Sequence, residues 1–383
     1  MPAREFFDRS LLERFRPELH YDRQYDYRAT AVETLVENPG NLLRRFDGEV
    51  IARVGGAPEL SLELLSSYPD GLEPRTDDCL CEGPDPLGDA RRMEREGYPP
   101  RVYGRCVEEG GRTWVQYWFW LYGNPKNLFG FGKHEGDWEM VQLGLGAGHR
   151  PEVVTYAQHD SGEAHRAEDD KVLLVEESGD PHPVVYVAPL SHASYFRAQT
   201  HPYLVGIDHP FGDGPRVRPP VHEFGAWNEF LGRWGNSERV IARRIGNGPP
   251  SPAQQGLKWE SPARWHRAMR RRRLRVLLGG AIHAIGALTY PPPPKIEARR
   301  HDHRVEVAYR LAGSGLKAGR HIYITVHDGE DVVASRALQA REQAGSETLR
   351  VPAYAAVENL TVWASAFNRL RQRSTLACAV AVS

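Results

Sequence analysis

The stretch of the chain that is richest in aromatic residues is Thr113-Trp114-Val115-Gln116-Tyr117-Trp118-Phe119-Trp120-Leu121-Tyr122. Aromatic and β-branched side chains favour β-strands. Almost every position is apolar or aromatic, so the stretch lacks the alternation of a strand with one face in water. It predicts a strand that is buried on both faces, and we expect this strand to lie at the centre of the main core.

Further strand candidates follow this segment at short intervals. Residues 138–145, 152–158, 171–176 and 183–188 favour strands, and Gly, Pro, Asp or His separates them. Several short strands with turn signals between them favour a sandwich. We therefore predict a mainly β fold, with a β-sandwich core over residues 101–290 and peripheral helices and loops. An Arg-rich helix is predicted over residues 261–278, with Ser261 as its N-cap.

The two ends of the chain differ from this core. Residues 1–100 are predicted to be an N-terminal extension that packs on the core, with helical spacing between residues 6 and 15 and an irregular surface segment over 68–100. Four prolines at 291–294 favour a stiff spacer, and they mark a domain boundary. Residues 295–383 then alternate over about seven strand-like segments, the size of an immunoglobulin-like β-sandwich.

The composition excludes several classes of protein. Hydrophobic residues make up 40% and charged residues 26% of the chain, and the net charge is -1. The near-neutral charge indicates that the molecule as a whole does not bind nucleic acids or anionic membranes, so such a role would need a local patch of charge. No apolar run is long enough for a membrane-spanning helix. The N-terminus lacks a hydrophobic signal segment, so we expect a cytoplasmic protein, with non-classical secretion as the alternative.

Four cysteines, Cys79, Cys81, Cys106 and Cys378, are too few for a disulfide framework in a chain of 383 residues. The C-x-C pair at Cys79 and Cys81 has no second Cys/His pair at zinc-finger spacing. We interpret these residues as ordinary thiols. A metal role for the pair, or a disulfide to Cys106, remains an alternative.

The motif that points to chemistry is His134-Glu135-Gly136-Asp137-Trp138-Glu139. An imidazole and two carboxylates are a common ligand set for divalent metals, so His134, Asp137 and Glu139 are predicted to bind Mg²⁺, Ca²⁺, Mn²⁺ or Zn²⁺. In a strand, Asp137 and Glu139 share one face, and Trp138 points into the core on the other. Glu135 is expected to face solvent. The alternative is a surface turn with solvated polar side chains.

Two further histidines, His159 and His192, stand at the ends of other predicted strands. Strand ends can meet at one rim of a sandwich, so we expect both to reach the acidic motif. His159 is the candidate for a general base or a further ligand, and His192 for stabilising an oxyanion or a phosphate. Asp160 and Glu163 are candidates for orienting His159. A purely structural His192 is the alternative.

These segments resemble the family named for vacuolar protein sorting-associated protein 62, over residues 15–265. The resemblance is carried by the aromatic strand with Tyr122 and Asn124, by the motif at 134–139, and by Tyr156-Ala157-Gln158-His159 and the segment 184–195. The segments 231–235 and 255–259 also match. The family name implies a trafficking-type interaction and specifies no chemistry.

The same order of motifs is more distantly similar to the necrosis- and ethylene-inducing peptide-like proteins. That resemblance implies a β-sandwich with a divalent cation in a cleft and a sphingolipid head group as ligand. It assigns metal-ligand positions to His134, Asp137 and Glu139. Those proteins have a further aspartate where this chain has Asn124, and an uncharged amide lowers the expected affinity for the cation. The cytolytic role is therefore not carried over.

Two functions follow as hypotheses. One is metal-assisted hydrolysis of a phosphoester or a lipid head group. The other is binding of an anionic lipid head group or a glycan without catalysis. Tyr122, the aromatic residue closest to the proposed rim, is a candidate ligand contact. No nucleotide-binding loop and no Gly-x-Ser-x-Gly motif suggests another chemistry.

Overall fold

The aromatic segment lies inside a strand at Arg112–Asn124, within the largest sheet of the computed structural model. The structure describes residues 3–25, 27–45, 48–68, 72–81, 83, 86–124, 134–159, 161–189, 191–199, 201–203, 206–208, 210–236, 239–240, 243–244, 248–270, 290–340, 342–355, 359–368, 373–374 and 377–380. Side chains from Trp114 to Tyr122 are almost fully removed from water. The prediction of a strand covered on both faces is confirmed.

The region before the prolines contains most of the strands and helices. Its strands are β1 (Arg4–Phe6), β2 (Glu18–His20), β3 (Ala29–Thr30), β4 (Leu42–Arg44), β5 (Val50–Arg53), β6 (Cys79–Cys81), β7 (Val102–Glu109), β8 (Arg112–Asn124), β9 (His134–Leu145), β10 (Pro151–Gln158), β11 (Ser161–Arg166), β12 (Leu174–Glu177), β13 (Asp180–Val187), β14 (Ser194–Tyr195), β15 (His201–Tyr203), β16 (Gly206–Asp208), β17 (Arg216–Val217), β18 (Val221–His222), β19 (Arg233–Trp234), β20 (Arg239–Val240) and β21 (Arg243–Arg244). Its helices are α1 (Arg9–Arg14), α2 (Glu33–Glu37), α3 (Leu62–Ser66), α4 (Pro86–Arg95), α5 (Leu257–Glu260) and α6 (Pro262–Arg270), with short 3-10 turns at Ala147–His149, Ala226–Glu229 and Pro252–Gln254.

Two sheets of this region form a sandwich. The larger has the order β1-β7-β8-β9-β10-β11, with β3 on β8 and β18 on β7, and the second has the order β12-β13-β2-β17, with β14 on β13. Side chains from both sheets share one hydrophobic core, and the Tyr156 hydroxyl of β10 donates to the Val184 carbonyl of β13 at 2.9 Å. The smaller sheet β19-β6-β4-β5 adjoins them. The predicted mainly β class is thus confirmed.

The C-terminal region forms a second sandwich. Its strands are β22 (Lys295–His301), β23 (Arg304–Arg310), β24 (His321–Asp328), β25 (Asp331–Gln339), β26 (Ala344–Arg350), β27 (Leu360–Phe367) and β28 (Ala377–Val380), with a 3-10 turn at Gly315–Lys317. One sheet has the order β22-β23-β26 and the other β25-β24-β27-β28. Alternating residues such as Val305 and Ile324 share the core between them, as in an immunoglobulin-like sandwich.

This second sandwich packs directly on the N-terminal part of the chain. The buried Gln24 side chain donates to the Tyr323 carbonyl at 3.2 Å and to the Trp363 carbonyl at 3.1 Å. From α4, Arg91 Nε donates to the Val332 carbonyl at 3.1 Å. The prolines at 291–294 therefore connect two regions that are in contact through Gln24 and helix α4.

Several predicted elements differ in extent from the observed ones. The segment expected to be irregular over 68–100 contains β6 and α4. The helix α4 forms because Leu87, Ala90 and Met93 recur at helical spacing and are buried. The helix expected over 6–15 begins at Arg9, where the Asp8 carboxylate caps it. In α6, Ser261 Oγ accepts from the Arg264 N–H at 3.4 Å. The predicted end of this helix lies outside the described residues, among which no helix could span a membrane.

Candidate metal centre

The acidic motif forms the start of β9, and its third residue must be glycine. Gly136 has φ +65°, and a Cβ built there would lie 2.1 Å from the Trp120 ring and 2.3 Å from the Trp234 carbonyl oxygen. Both distances are shorter than any real contact of a Cβ atom. The left-handed backbone at Gly136 thus lets β9 pass against two tryptophans and sets the direction of Asp137.

Trp138 anchors the motif in the core. It is 2% exposed, and its ring contacts those of Trp120, Trp227 and Trp234 at centroid distances of 5.3, 6.0 and 5.5 Å. Because side chains alternate along a strand, Asp137 and Glu139 project from the opposite face. This arrangement agrees with the sequence-based interpretation. Glu135 does not simply face solvent: it is half-buried, and its carboxylate accepts the Asn236 N–H at 2.8 Å.

Glu139 holds His159. The carboxylate is fully buried, and its Oε1 lies 3.2 Å from Nδ1 of the His159 ring and accepts the His159 backbone N–H at 3.1 Å. His159 follows the end of β10 in the left-handed region, at φ +56°. A non-glycine residue in that conformation is uncommon and is more frequent at functional sites. The local backbone therefore turns the ring back toward β9.

Asp137 is paired with His192 in a similar way. Asp137 Oδ2 lies 3.3 Å from His192 Nδ1, and both side chains are buried. His192 also has a left-handed backbone, at φ +57°, and its ring meets the Tyr27 ring edge-on at 6.0 Å. The two strand-end histidines predicted from the sequence thus both reach the acidic motif.

One cation would fit among three of these residues. Asp137, Glu139 and His159 each offer one ligand atom, and the three atoms lie within 4.8 Å of one another. Ligands on opposite sides of one ion are about 4 Å apart for Mg²⁺ and about 5 Å apart for Ca²⁺. In addition, Glu139 Oε2 and His192 Nε2 are buried without a hydrogen-bond partner among the described residues. Such atoms are costly unless something pairs with them.

The electrostatics of the cluster are those of a buried acid–imidazole pair. Burial lowers the pKa of His159, but the hydrogen bond and charge of Glu139, with Asp137 and Asp208, outweigh it and raise that pKa to about 9. Burial raises the pKa of Glu139, and His159 opposes the shift. The proton that His159 shares with Glu139 therefore supplies the positive charge that a bound cation would supply in its place.

One acidic residue of this neighbourhood was missed by the sequence analysis. Asp208 of β16 is buried, and its Oδ2 accepts the hydroxyl groups of Ser191 and Tyr195, each at 2.6 Å. Burial raises its pKa, while these two hydrogen bonds and, to a smaller extent, His159 and His192 lower it. Asp208 belongs to a short strand with no metal-like spacing to the motif, so only the tertiary fold reveals it.

Two other predicted site residues are placed elsewhere. Tyr122 is fully buried on the sheet face opposite Asp137, and its hydroxyl accepts the amides of Asn38 and Asn41 at 3.0 and 2.7 Å, so it cannot contact a ligand. Glu163 does not orient His159; its Oε1 lies 2.6 Å from Nε2 of His165. The structure thus places neither side chain beside the acidic motif, because sequence proximity does not give the direction of a side chain.

Three further candidates fall outside the described side chains. The backbones of His134 and Asn124 pair directly across β9 and β8, but their side chains lie outside the described part of the chain. Asp160 is outside it altogether. The predicted ligand role of His134 and the contribution of Asn124 therefore stay predictions. The register brings their Cα atoms to the same end of the sheet as Asp137.

The two histidines differ in their access to solvent. His159 and His192 were predicted as a base and as an oxyanion donor, and each has Nδ1 paired with a carboxylate, which leaves Nε2 as the other ring nitrogen. His192 is 1% exposed, so it cannot touch a substrate from solvent. The side chain of His159 is 35% exposed and forms the accessible edge of the cluster.

The comparisons with known proteins identify solved structures with a similar fold and no related family. No protein-family model and no curated protein matches the chain. Among solved structures, Necrosis and Ethylene inducing Protein 2 from the causal agent of cocoa's Witches Broom disease is 13% identical, with a TM-score of 0.34 over 67% of this chain and 91% of that chain. NLPPya in complex with glucosamine is 14% identical, with a TM-score of 0.33 over 68% of this chain and 94% of that chain.

These neighbours belong to the second family whose resemblance was inferred from the sequence. A structure described as a toxin fold for microbial attack and plant defense is likewise 14% identical, at a TM-score of 0.34. Values this low support no conclusion about the site or the activity of this chain. The resemblance to the vacuolar protein sorting-associated protein 62 family stays a prediction.

Proposed function

We propose that Asp137, Glu139 and His159 bind one divalent cation, and that the loaded site binds an oxygen-rich ligand without cleaving it. The carboxylates favour Mg²⁺, Ca²⁺ or Mn²⁺, with Zn²⁺ as a weaker candidate unless His134 adds a second imidazole. The ligand class is a glycan or an anionic lipid head group, whose hydroxyl or phosphate oxygens can complete the coordination of such an ion.

The observation that carries this proposal is the burial of Glu139 beside Asp137. Two carboxylates on one strand face are removed from water, and Glu139 Oε2 has no hydrogen-bond partner among the described residues. Burying two like charges is unfavourable unless a proton or a cation lies between them. A cation at this position would pair with both carboxylates and replace the proton on His159.

Binding is favoured over hydrolysis by the state of the two histidines. A general base needs an unprotonated nitrogen that can reach water or substrate. His192 is buried away from solvent, and the pKa of His159, raised to about 9 by Glu139, keeps that ring protonated at neutral pH unless a cation replaces the proton. Metal-assisted hydrolysis is the second candidate, because the exposed edge of the His159 ring faces outward.

The first experiment measures cation binding to the full chain after removal of metals by a chelator. Titration calorimetry with Mn²⁺, Ca²⁺, Mg²⁺ and Zn²⁺ should show one site, with affinity reduced at least about tenfold in Asp137→Asn and Glu139→Gln. The matched control is Glu163→Gln, which removes a buried carboxylate paired with a histidine on β11. That variant should bind as the unmodified chain does.

The second experiment separates binding from catalysis. The loaded protein is tested for binding of glucosamine and of inorganic phosphate, and for turnover of a chromogenic phosphodiester. Cation-dependent binding without turnover supports the proposal. Turnover that requires the cation and is lost in His159→Gln would replace it with hydrolysis. Equal cation binding by Asp137→Asn and the unmodified chain would remove the metal site from both functions.

A further inference from the structure

Cys79 and Cys81 form a second cluster of reactive groups, apart from the acidic motif. They are alternate residues of β6, so their side chains leave the same face of the strand, and their Sγ atoms are 3.5 Å apart. Between them, Leu80 points into the core and is fully buried. Cys79 is half-buried and reachable from solvent, whereas Cys81 is buried.

Positive charge lies beside both sulfur atoms. Arg44 of β4 is directly opposite Cys79 in the antiparallel register, and its Nε donates to Cys81 Sγ at 3.0 Å. On the other side of β6, the parallel register places Arg233 of β19 next to Cys79. A guanidinium stabilises a thiolate and disfavours a metal cation, so this environment favours thiol chemistry over metal binding.

We propose that Cys79 and Cys81 are a thiol–disulfide exchange site that takes a low-molecular-weight disulfide such as oxidised glutathione. Cys79 is the attacking residue because it is the one reachable from solvent, and Cys81 resolves the mixed disulfide. The proposal does not depend on the cation site, whose ligands lie on β9 and directly after β10.

The reaction balances as two exchanges. Cys79 Sγ, as a thiolate, attacks one sulfur of the small disulfide, and the other half leaves as a thiolate. Cys81 then loses its proton to solvent, and its Sγ attacks Cys79 Sγ and releases the second small thiol. Two protein thiols are oxidised to one disulfide, while the small disulfide is reduced to two thiols.

The electrostatics agree with these roles. The neighbouring Cys81 thiol lowers the pKa of Cys79, burial opposes that shift, and Arg44 lowers the pKa further. The same contact and burial raise the pKa of Cys81, which is the property of a thiol that keeps its proton until the second step. Glu135 of β9 raises the pKa of both thiols and is the opposing charge.

Strand geometry predicts that the resulting disulfide is easily reduced. Alternate residues of a strand have Cα atoms about 6.4–6.8 Å apart, and disulfides bridge about 4.4–6.8 Å. The bridge would close at the upper end of this range, with the sulfur atoms moving from 3.5 Å to about 2.05 Å. Strained disulfides are the readily exchanged ones, so the oxidised form should revert with reduced glutathione.

The test uses the full chain carrying Cys378→Ser, incubated with oxidised glutathione near neutral pH and analysed by peptide mass spectrometry. The expected product is a Cys79–Cys81 peptide that has lost two hydrogens and regains them with reduced glutathione. Cys106 is the internal control, because it is fully buried and burial raises its pKa to about 12. It should react at least about tenfold more slowly than Cys79.

Variants separate the two steps. Cys81→Ser should stop at the mixed disulfide on Cys79, and Cys79→Ser should give neither product. Arg44→Gln should slow alkylation of Cys79 about threefold and move its pH profile upward, while Arg44→Lys should restore most of the rate. A mixed disulfide that persists in the chain with both cysteines would overturn the proposal, as would reaction of Cys79 at the rate of Cys106.

Discussion

The ring Nδ1 and the backbone N–H of His159 both point at one oxygen of Glu139, at 3.2 and 3.1 Å. A strand-end residue with a left-handed backbone is thereby fixed to a buried carboxylate of the neighbouring strand. The second oxygen of Glu139 is left buried without a partner among the described residues. The protonation state of the His159 ring therefore depends on what else binds in this cluster.

The pKa of His159 should fall when the Glu139 carboxylate is removed. In the metal-free protein that pKa is raised to about 9, so the ring carries a proton at neutral pH. In Glu139→Gln the hydrogen bond and most of the negative charge are lost while burial remains. We expect the pKa of His159 to drop to about 6.5 or below, as measured by NMR titration of its ring protons.

Glu163→Gln is the control for this titration, since Glu163 contacts His165 and not His159. It should leave the pKa of His159 unchanged. If the pKa of His159 stayed near its elevated value in Glu139→Gln, the charge that holds the proton would have to come from Asp137 or Asp208 instead.

Gly136→Ala should destabilise the protein through the position of β9. The added Cβ would meet the Trp120 ring and the Trp234 carbonyl well inside contact distance, on a backbone with φ +65°. We expect a loss of at least about 2 kcal/mol in the free energy of unfolding, together with weaker cation binding. Urea unfolding followed by tryptophan fluorescence measures the first, and calorimetry the second.

Gly148→Ala provides the matched comparison. Gly148 has nearly the same φ, +66°, but a Cβ there meets nothing within 4 Å. Gly148→Ala should lower the free energy of unfolding by about 1 kcal/mol, which is the cost of placing alanine in this backbone conformation. Equal losses in the two variants would show that the contacts with Trp120 and Trp234 do not determine the requirement for glycine.

Much of the site was predictable from the sequence because strand periodicity sets side-chain direction. The alternation of Asp137, Trp138 and Glu139 gives their faces, and the strand-end positions of His159 and His192 bring both rings to one rim. These features follow from local pattern alone. The same local pattern made the mainly β class and the C-terminal sandwich predictable.

What could not be predicted depends on contacts between distant segments. Tyr122 was expected at the rim, but its hydroxyl accepts hydrogen bonds from the side-chain amides of Asn38 and Asn41 in the N-terminal region. Asp208 lies on a short strand that no pattern marks, and only the fold brings it beside Ser191. Proline and glycine near the start of α4 suggested a loop, although its buried apolar residues recur at helical spacing.

Acid should destabilise the protein in part through His266. Burial lowers the pKa of this residue to about 4, and its Nδ1 lies 2.7 Å from the Thr155 hydroxyl. In the unfolded chain a histidine has a pKa of about 6.5. The folded pKa is the lower one, so the stability present above about pH 6.5 is lost as the pH falls towards about 4.

The size of the effect follows from the difference in pKa. His266 should account for a loss on the order of 3 kcal/mol in the free energy of unfolding across this pH range. His266→Gln should be less stable at neutral pH, and its disadvantage should shrink as the pH falls. Urea unfolding of both proteins at several pH values measures this; parallel curves would exclude His266 as the titrating group.

The contact between the two sandwiches contains a buried ion pair between Asp22 and Arg373. Asp22 also accepts the backbone N–H groups of Phe211 and Gly212 at 2.6 and 2.7 Å. Burial raises the pKa of Asp22 to about 6, although Arg373 lowers it. The attraction of Arg373 therefore does not fully offset the cost of removing the carboxylate from water.

Removing Arg373 alone should be costly, and the cost should depend on pH. In Arg373→Met the buried Asp22 loses its counter-ion, and we expect a loss of about 3 kcal/mol in the free energy of unfolding at neutral pH. Without Arg373 the pKa of Asp22 in the folded state rises further above its unfolded value. Stability is then present at low pH and lost as the pH rises, so the difference from the unmodified chain should be smaller near pH 5 than near pH 8.

Asp22→Asn combined with Arg373→Met removes both charges and should recover part of the loss at neutral pH. Urea unfolding of the full chain measures all three variants, and a double variant no more stable than Arg373→Met would show that the unpaired charge is not the cause.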